Sequence, residues 1–427
     1  MTKQIITASD WLLLPVYIGF ILLIAAMIRS RFEHALDKKY FMWGLYAKLF
    51  GAIAFALIYV YNYGGGDTIN YWHSAKCFIN LSHENFPAFW QLMKGSMEPE
   101  FLYSFTSETG YPAYRHDPQA FAVNRFMVPF VWLGAKRFLL STVVLSFFIY
   151  LVIFRFYRFL SRLYPDYRQI AGIAVLFVPS ILIWSSGILK DSLTFAFALL
   201  AVVALYNLFV KPHQWIRYLL YLVFSAHIII SIKPYIFYAL LAAAMVWLLA
   251  AYTIKIKAKF VRVFVMPLLA VLFIVAGIFT FSRLGDTVGG YYTDMDAMAE
   301  QAYIIQDDLS KDYYGGNSFD IGGFEPTMGG MLSKAPQAIV AGLYRPFLWE
   351  AGNILMIFSG LENFVLLLLS LFIIFRIGPL NFIKQLSKEP FLIFAIVFAV
   401  VLSFFIGLTT ANFGALVRYR IPLLPFF

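Results

Sequence analysis

Residues 390–410 read PFLIFAIVFAVVLSFFIGLTT, and this stretch decides the fold. It contains no charged side chain, and an α-helix needs about 20 mostly apolar residues to cross a bilayer. Similar runs recur along the 427-residue chain, of which 61% is hydrophobic and only 13% is charged. A soluble domain would carry about 25% charged residues. The sequence therefore predicts an all-α polytopic membrane protein.

Working outward from this run, about eleven spanning helices are expected in a single transmembrane domain over residues 1–427. We predict spans at 11–29, 41–62, 138–158, 169–187, 191–210, 216–232, 235–253, 261–282, 355–376 and 390–410. The last segment, Ile421–Phe427, is typical of the first turns of a helix that the chain does not complete.

Two segments between the predicted spans are long. The first, 63–137, is expected to form amphipathic or re-entrant helices, because its run 119–135 is short and carries Arg125 and Pro129. The second, 283–354, has an amphipathic stretch near 294–310 followed by a glycine-rich portion. Loops of this length are uncommon unless they are functional or disordered.

Lysine and arginine residues predict the orientation. One set of loops holds 17 basic and four acidic residues, and the opposite side holds 15 basic and 19 acidic residues. Because basic residues are enriched in cytoplasmic loops, we expect both long loops at the outer face of a bacterial cytoplasmic membrane. The net charge of +10 is then a mark of topology, and nucleic-acid binding loses its support.

Several kinds of chemistry lack their sequence patterns. A single cysteine, Cys77, allows no intrachain disulfide, and the six histidines show no metal-binding spacing such as HExxH. A phosphate-binding P-loop and a serine nucleophile elbow do not occur. No cofactor is predicted, and a divalent metal has no support in the sequence.

The strongest candidate for chemistry is Asp67, in the stretch Tyr63-Gly-Gly-Gly-Asp-Thr-Ile-Asn-Tyr-Trp-His73 just past the second predicted helix. A carboxylate there can act as a general base on a hydroxyl, and three glycines allow a ligand to approach the backbone. Tyr71, Trp72 and His73 are candidates for substrate binding. The alternative is that Asp67 or Thr68 only caps the next helix.

Two further outer turns carry lysines. Lys190 and Asp191 follow a tight turn after Trp184, and because they are adjacent they do not share a helix face. Charges at a membrane boundary are costly, which favours a phosphate-binding role for Lys190 and a substrate-binding role for Asp191. Lys233 precedes Pro234 at the next outer turn and is a second phosphate candidate. Capping by Asp191 and snorkelling of either lysine are the structural alternatives.

The remaining candidates lie in the C-terminal part. Arg345 and Glu350 flank a Pro-Phe-Leu-Trp segment, and Arg418 and Arg420 flank Tyr419. Arginine binds phosphate through two parallel hydrogen bonds and keeps its charge, so we predict phosphate binding by the three arginines and substrate binding by Glu350. An Arg345–Glu350 ion pair that only braces the loop and an interfacial anchor at Arg418–Arg420 remain open.

The Gly-Asp67-Thr-Ile-Asn-Tyr71 motif resembles the Gly-Thr-Asp-Tyr motif of EpsG-like exopolysaccharide polymerases. More broadly, Asp67 is similar to the first-outer-loop aspartate of glycosyltransferases of the GT-C fold. The resemblance covers the helical layout loosely along the chain, and Pro179–Ser192 and Arg418-Tyr-Arg-Ile-Pro422 also look like parts of bacterial polysaccharide-cluster membrane proteins. It implies a GT-C-like fold. A second acidic residue, often found near the first in that family, is missing at positions 66 and 68, which leaves metal dependence open.

The resemblance also implies transfer of a sugar or glycan from a polyprenyl-phosphate or -pyrophosphate donor to a saccharide or lipid acceptor. Asp67 would serve as general base, and the predicted partners are the lipid-linked donor, the acceptor and membrane lipids. A flippase or exporter of a lipid-linked saccharide is the main alternative, and a non-catalytic component of a membrane assembly is the third.

Overall fold

The computed structural model describes residues 5–253, 295–309, 311, 318–386 and 388–427. The predicted span 261–282 lies outside these residues. In the described part of the chain, helices account for nearly all regular structure, and one isolated bridge pairs Ser318 with Asn412. The prediction of an all-α protein is confirmed for this part of the chain.

Eight of the described helices are long and apolar enough to cross a membrane, which indicates a membrane protein. They are Ala8–Ser30, Ala35–Asn62, Phe138–Leu163, Lys190–Val210, Trp215–Ile232, Pro234–Thr253, Ile354–Ile377 and Pro390–Thr409. Each overlaps a predicted span. In chain order, α1 is Ala8–Ser30, α2 is Ala35–Leu57 and ends in a π-helical turn, and α3 to α6 are Asp67–Glu84, Phe86–Lys94, Pro99–Leu102 and Pro118–Leu133.

The helices that follow are α7 to α12, at Phe138–Leu163, Arg168–Leu176, Pro179–Trp184, Lys190–Leu205, Trp215–Ile232 and Pro234–Thr253. After these come α13 to α19, at Met295–Leu309, Met328–Ser333, Ala335–Tyr344, Ile354–Ile377, Pro379–Leu386, Pro390–Thr409 and Phe413–Tyr419, with a 3₁₀ segment at Ile421–Phe426. The amphipathic stretch predicted near 294–310 is therefore helical over its described residues, Met295–Leu309. The segment 119–135 corresponds to α6, which is not among the eight long apolar helices.

The prediction of one continuous helix over 169–187 is wrong, because the structure divides this segment into α8 and α9. Pro179 is the cause. Proline lacks a backbone N–H and pushes the preceding residue out of the helical region, and Val178 is accordingly extended, with φ −65° and ψ 123°. The break matters for the site because α9 leads into the turn before Lys190.

The described chain forms two compact units. Unit 1 contains residues 1–203 and 227–233, and unit 2 contains 204–226 and 234–427. The single transmembrane domain over residues 1–427 stays a prediction.

In unit 1, α2 packs against α7 through aromatic rings, with the Phe41 and Phe154 centroids 4.8 Å apart. The α9 helix also packs on α2. A side chain at Gly51 would place its Cβ 2.3 Å from the Leu182 carbonyl oxygen, so only glycine permits this approach. The α3 and α6 helices pair beside this core, where Phe78 meets Phe121 at 5.4 Å.

In unit 2, α18 packs against α12 and α15. The Trp247 ring lies 5.0 Å from that of Phe394. The α15 and α18 backbones come so close that a Cβ on Gly342 would lie 2.3 Å from the Ser403 carbonyl oxygen. The absence of a side chain at Gly342 therefore permits this approach. Small residues of this kind let helices associate closely within a membrane.

Candidate functional site

The first part of the candidate site is the glycine turn that precedes α3. Gly64, Gly65 and Gly66 have φ values of 67°, 130° and 107°, a region of backbone conformation that favours glycine. A Cβ added to Gly64 or Gly65 would meet no described atom within 4 Å. Gly66 is the N-cap of α3, so Asp67 is the first helical residue rather than the cap. The alternative that Asp67 or Thr68 caps this helix is therefore wrong, since the N-cap is Gly66 and no side chain makes a capping hydrogen bond there.

The Asp67 carboxylate is exposed and is held by a tyrosine from the same loop. The Tyr114 hydroxyl donates a hydrogen bond of 2.6 Å to Asp67 Oδ1, and Asn70 Nδ2 donates one of 3.1 Å to the Tyr114 hydroxyl. Among the described residues, no group donates a hydrogen bond to Asp67 Oδ2. One carboxylate oxygen is thus fixed while the other remains available.

Tyr114 has two unusual properties. Its φ of 62° lies in the left-handed region, which costs energy for a residue with a side chain and is concentrated at functional sites. The pKa of its phenol is raised to about 12, mainly by burial; the hydrogen bond from Asn70 opposes this rise and the one to Asp67 adds to it. Tyr114 therefore remains a hydrogen-bond donor at neutral pH.

Tyr71 is a buried side chain that packs against Tyr114. It is 2% exposed, and its ring lies 5.2 Å from that of Tyr114. Burial raises the pKa of Tyr71, and the negative charges of Asp67, Asp191 and Asp117 raise it further. Each of these three carboxylates therefore lies near Tyr71, although they come from separate parts of the chain.

The two predicted lysines of unit 1 are both in ion pairs. Lys190 Nζ lies 3.5 Å from Asp117 Oδ2, and the two side chains are 25% and 49% exposed. Asp117 also caps α6 by accepting hydrogen bonds from the backbone of Gln119 and Ala120. Lys233 pairs directly with Asp191, with side chains only 6% and 4% exposed. Lys190 and Asp191 thus take different partners, as their adjacency predicts.

The side chains of Trp72 and His73 contact a different set of residues. The Trp72 ring packs 5.8 Å from Phe138 and 4.3 Å from the Lys76 ammonium. His73 Nδ1 lies 3.7 Å from Cys77 Sγ, and burial together with the Lys76 charge lowers the pKa of its imidazole. Within the part of the chain that the structure describes, no hydrogen bond, ion pair or ring contact joins either residue to Asp67 or Tyr114.

Arg345 and Glu350 form a second polar cluster, in unit 2. Arg345 donates to Glu350 Oε1 at 2.6 and 3.0 Å, and Glu350 Oε2 accepts from the Phe347 backbone at 2.8 Å. The guanidinium also lies 4.8 Å from the Phe319 ring. This ion pair braces the loop, which is the structural alternative considered above, and it also leaves Arg345 partly exposed.

The two C-terminal arginines have different environments. Arg420 is completely buried, lies 3.8 Å from Glu362, and donates to the Arg345 carbonyl at 3.2 Å. Burial lowers the pKa of Arg420 to about 10, while Glu362 opposes that shift. Arg418 is half-buried, and its Nε donates to the Gly414 carbonyl at 3.3 Å.

Sequence reasoning missed Asn70, Tyr114 and Asp117 as parts of the site. Asn70 was within the quoted motif, one turn after Asp67. Asp117 precedes Pro118, a usual start of a helix, which marks it as a cap but not as a partner of Lys190. No local signal joins Tyr114 to Asp67, because the two are 47 residues apart in the chain.

No group of three or more His, Cys, Asp or Glu residues in the described ranges is arranged to hold a metal ion. Compared with known proteins, the chain matches no family model, no curated protein and no solved structure.

Proposed function

We propose that the protein is a membrane glycosyltransferase or polysaccharide polymerase that uses a polyprenyl-phosphate or -pyrophosphate donor at the outer face of the bacterial cytoplasmic membrane. The observation that carries the proposal is the Asp67 carboxylate. It is exposed, the Tyr114 hydroxyl fixes one oxygen at 2.6 Å, and the other oxygen accepts no hydrogen bond from the described residues. A positioned carboxylate with one available oxygen is what a general base requires.

The proposed reaction is a single displacement. The acceptor hydroxyl oxygen forms a bond to the anomeric carbon of the donor sugar, and the bond from that carbon to the phosphate oxygen breaks. Asp67 Oδ2 takes the hydroxyl proton, and the lipid phosphate leaves with the bonding electron pair. Tyr114 keeps Asp67 oriented because its own pKa of about 12 keeps it protonated.

Lys190 is the proposed contact for the leaving phosphate in unit 1. Its ion pair with Asp117 is long, at 3.5 Å, and partly exposed. Such a pair contributes little stability, so Lys190 can turn to a phosphate at small cost. A cation placed where negative charge develops is the usual large term in catalysis of this type.

The other predicted residues receive narrower proposed roles. Lys233 and Asp191, which are nearly sealed from solvent, position the turn that presents Lys190. Tyr71 supports Tyr114, and Trp72 and His73 remain proposals for substrate binding. In unit 2, Arg345 and Arg418 remain proposals for phosphate binding, whereas buried Arg420 and the braced Glu350 act through position.

The test is the variant Asp67→Asn, assayed in detergent with a lipid-linked saccharide donor and a labelled acceptor. We expect a loss of about 100-fold to 10,000-fold, because this is the usual contribution of a general base. Glu108→Gln is the matched control, since Glu108 is an exposed carboxylate of the same loop. Product formation by Asp67→Asn at the rate of Glu108→Gln would refute the assignment.

The same assay separates the proposal from the exporter alternative. Detergent removes the two membrane faces, so a flippase forms no product there, whereas a transferase does. An exporter would also keep Asp67→Asn active in vesicle transport while losing activity with Lys190→Gln.

A further inference from the structure

A pocket of about 440 Å³ lies at one end of α1 and α2, apart from the site described above. Its lining consists of Arg29, Ala35, Lys38, Lys39, Met42, Trp43 and Tyr46. Both helices are long and apolar enough to span a membrane, and the pocket involves the last turn of one and the first turns of the other. It therefore lies at a membrane boundary.

The pocket carries a concentrated positive charge. Arg29, Lys38 and Lys39 line it, and no acidic residue does. None of the three forms an ion pair with the residues that the structure describes. Asp37 lies in the first turn of α2 but does not line the pocket; it is buried, and Arg158 and Arg168 lie 3.6 Å from its oxygens. The nearest carboxylate on this helix is thus already used by other arginines.

The rest of the lining is apolar and continues along one helix face. Lys39, Trp43, Tyr46 and Phe50 recur at spacings of four, three and four residues, which places them in one stripe. Trp43, Tyr46 and Phe50 are all more than half exposed. The Lys39 ammonium lies 4.7 Å from the Trp43 ring centroid, where charge and apolar surface meet.

We infer that this pocket binds an anionic phospholipid, with its phosphate at Arg29, Lys38 and Lys39 and one acyl chain along Trp43, Tyr46 and Phe50. Charge complementarity selects the occupant. Basic clusters next to membrane helices attract anionic lipids, whereas a zwitterionic lipid brings a cation of its own. A free phosphate ion would leave the exposed aromatic stripe without a partner.

The test measures lipid binding to the purified protein by native mass spectrometry in a non-ionic detergent. Phosphatidylglycerol and phosphatidylcholine of equal chain length are titrated separately, and the affinity of each is determined. We expect phosphatidylglycerol to bind at least tenfold more tightly to one site. The variant Lys38→Gln/Lys39→Gln should bind it about thirtyfold more weakly, because each basic residue near an anionic surface contributes about fivefold in affinity.

The matched control is Arg31→Gln/Arg162→Gln, which removes two charges from exposed positions outside the pocket. It should change affinity by less than about threefold. Equal weakening in both double variants would show an effect of net charge alone and would overturn the inference, as would equal binding of the two lipids.

Two further measurements separate a lipid from a free anion. The variant Trp43→Ala keeps all three cations and should weaken phosphatidylglycerol binding severalfold. Displacement of phosphatidylglycerol by millimolar inorganic phosphate, with no effect of Trp43→Ala, would identify an ion site and overturn the lipid assignment. Because Trp43→Ala changes an exposed side chain, it also tests the inference if the double variant fails to fold.

Discussion

The buried Lys233–Asp191 pair gives the sharpest test of the structure. The two side chains are 6% and 4% exposed, so the variant Lys233→Met would leave the Asp191 carboxylate buried without its cation. Breaking such a pair from one side costs about 3–5 kcal/mol. A compact unit of about 200 residues shifts its Tm by about 2–4 °C per kcal/mol. We therefore expect Lys233→Met to lower Tm by about 10 °C.

The assay is thermal unfolding in detergent, followed by intrinsic tryptophan fluorescence at one fixed heating rate, because membrane proteins often unfold irreversibly. The double variant Asp191→Asn/Lys233→Met removes both charges and should recover most of the loss, since replacing a whole buried pair is often neutral. Lys190→Met is the matched control: it breaks a pair that is 25% and 49% exposed, and it should shift Tm by less than about 3 °C. Equal shifts for Lys233→Met and Lys190→Met would refute the reasoning.

Three other outcomes are expected. Tyr114→Phe should slow saccharide transfer about tenfold in an initial-rate assay without changing Tm, because Asp67 loses the 2.6 Å hydrogen bond that orients it. Cys77 should react with iodoacetamide at pH 8 about 200-fold more slowly than free cysteine, followed by mass spectrometry, because burial raises the pKa of its thiol to about 11. Glu362→Gln should lower Tm by several degrees, since Arg420 is fully buried beside it; an unchanged midpoint would contradict the importance of this contact.

Much of the helical layout could be predicted because apolar length is a local property of the sequence. All eight long apolar helices overlap predicted spans, and hydropathy over about 20 residues is enough to locate them. The prediction of one continuous helix over 169–187 was wrong for the same reason. Its average hydropathy is high on both sides of Pro179, and such an average does not register a single missing backbone donor.

The site was only partly predictable because partner choice depends on distant contacts. Asp67, Lys190, Asp191 and Lys233 could be selected as polar residues at helix ends, where a membrane protein has few reasons to keep charge. Their partners could not, since the Lys233–Asp191 and Tyr114–Asp67 contacts join residues 42 and 47 positions apart. Such pairings follow from how helices pack, which neither hydropathy nor local spacing encodes.

The solvent exposure of each ion pair indicates which of the predicted cations can bind a charged substrate. A ligand phosphate must compete with the carboxylate that each cation already has. For Lys233 this competition would leave Asp191 buried and unpaired, at a cost of several kcal/mol. At the Lys190 pair, Asp117 is half-exposed, so water can solvate its carboxylate in exchange. The same reasoning in unit 2 excludes direct binding by fully buried Arg420. In unit 1, the proposed phosphate contact is therefore Lys190, because its carboxylate partner Asp117 remains open to solvent.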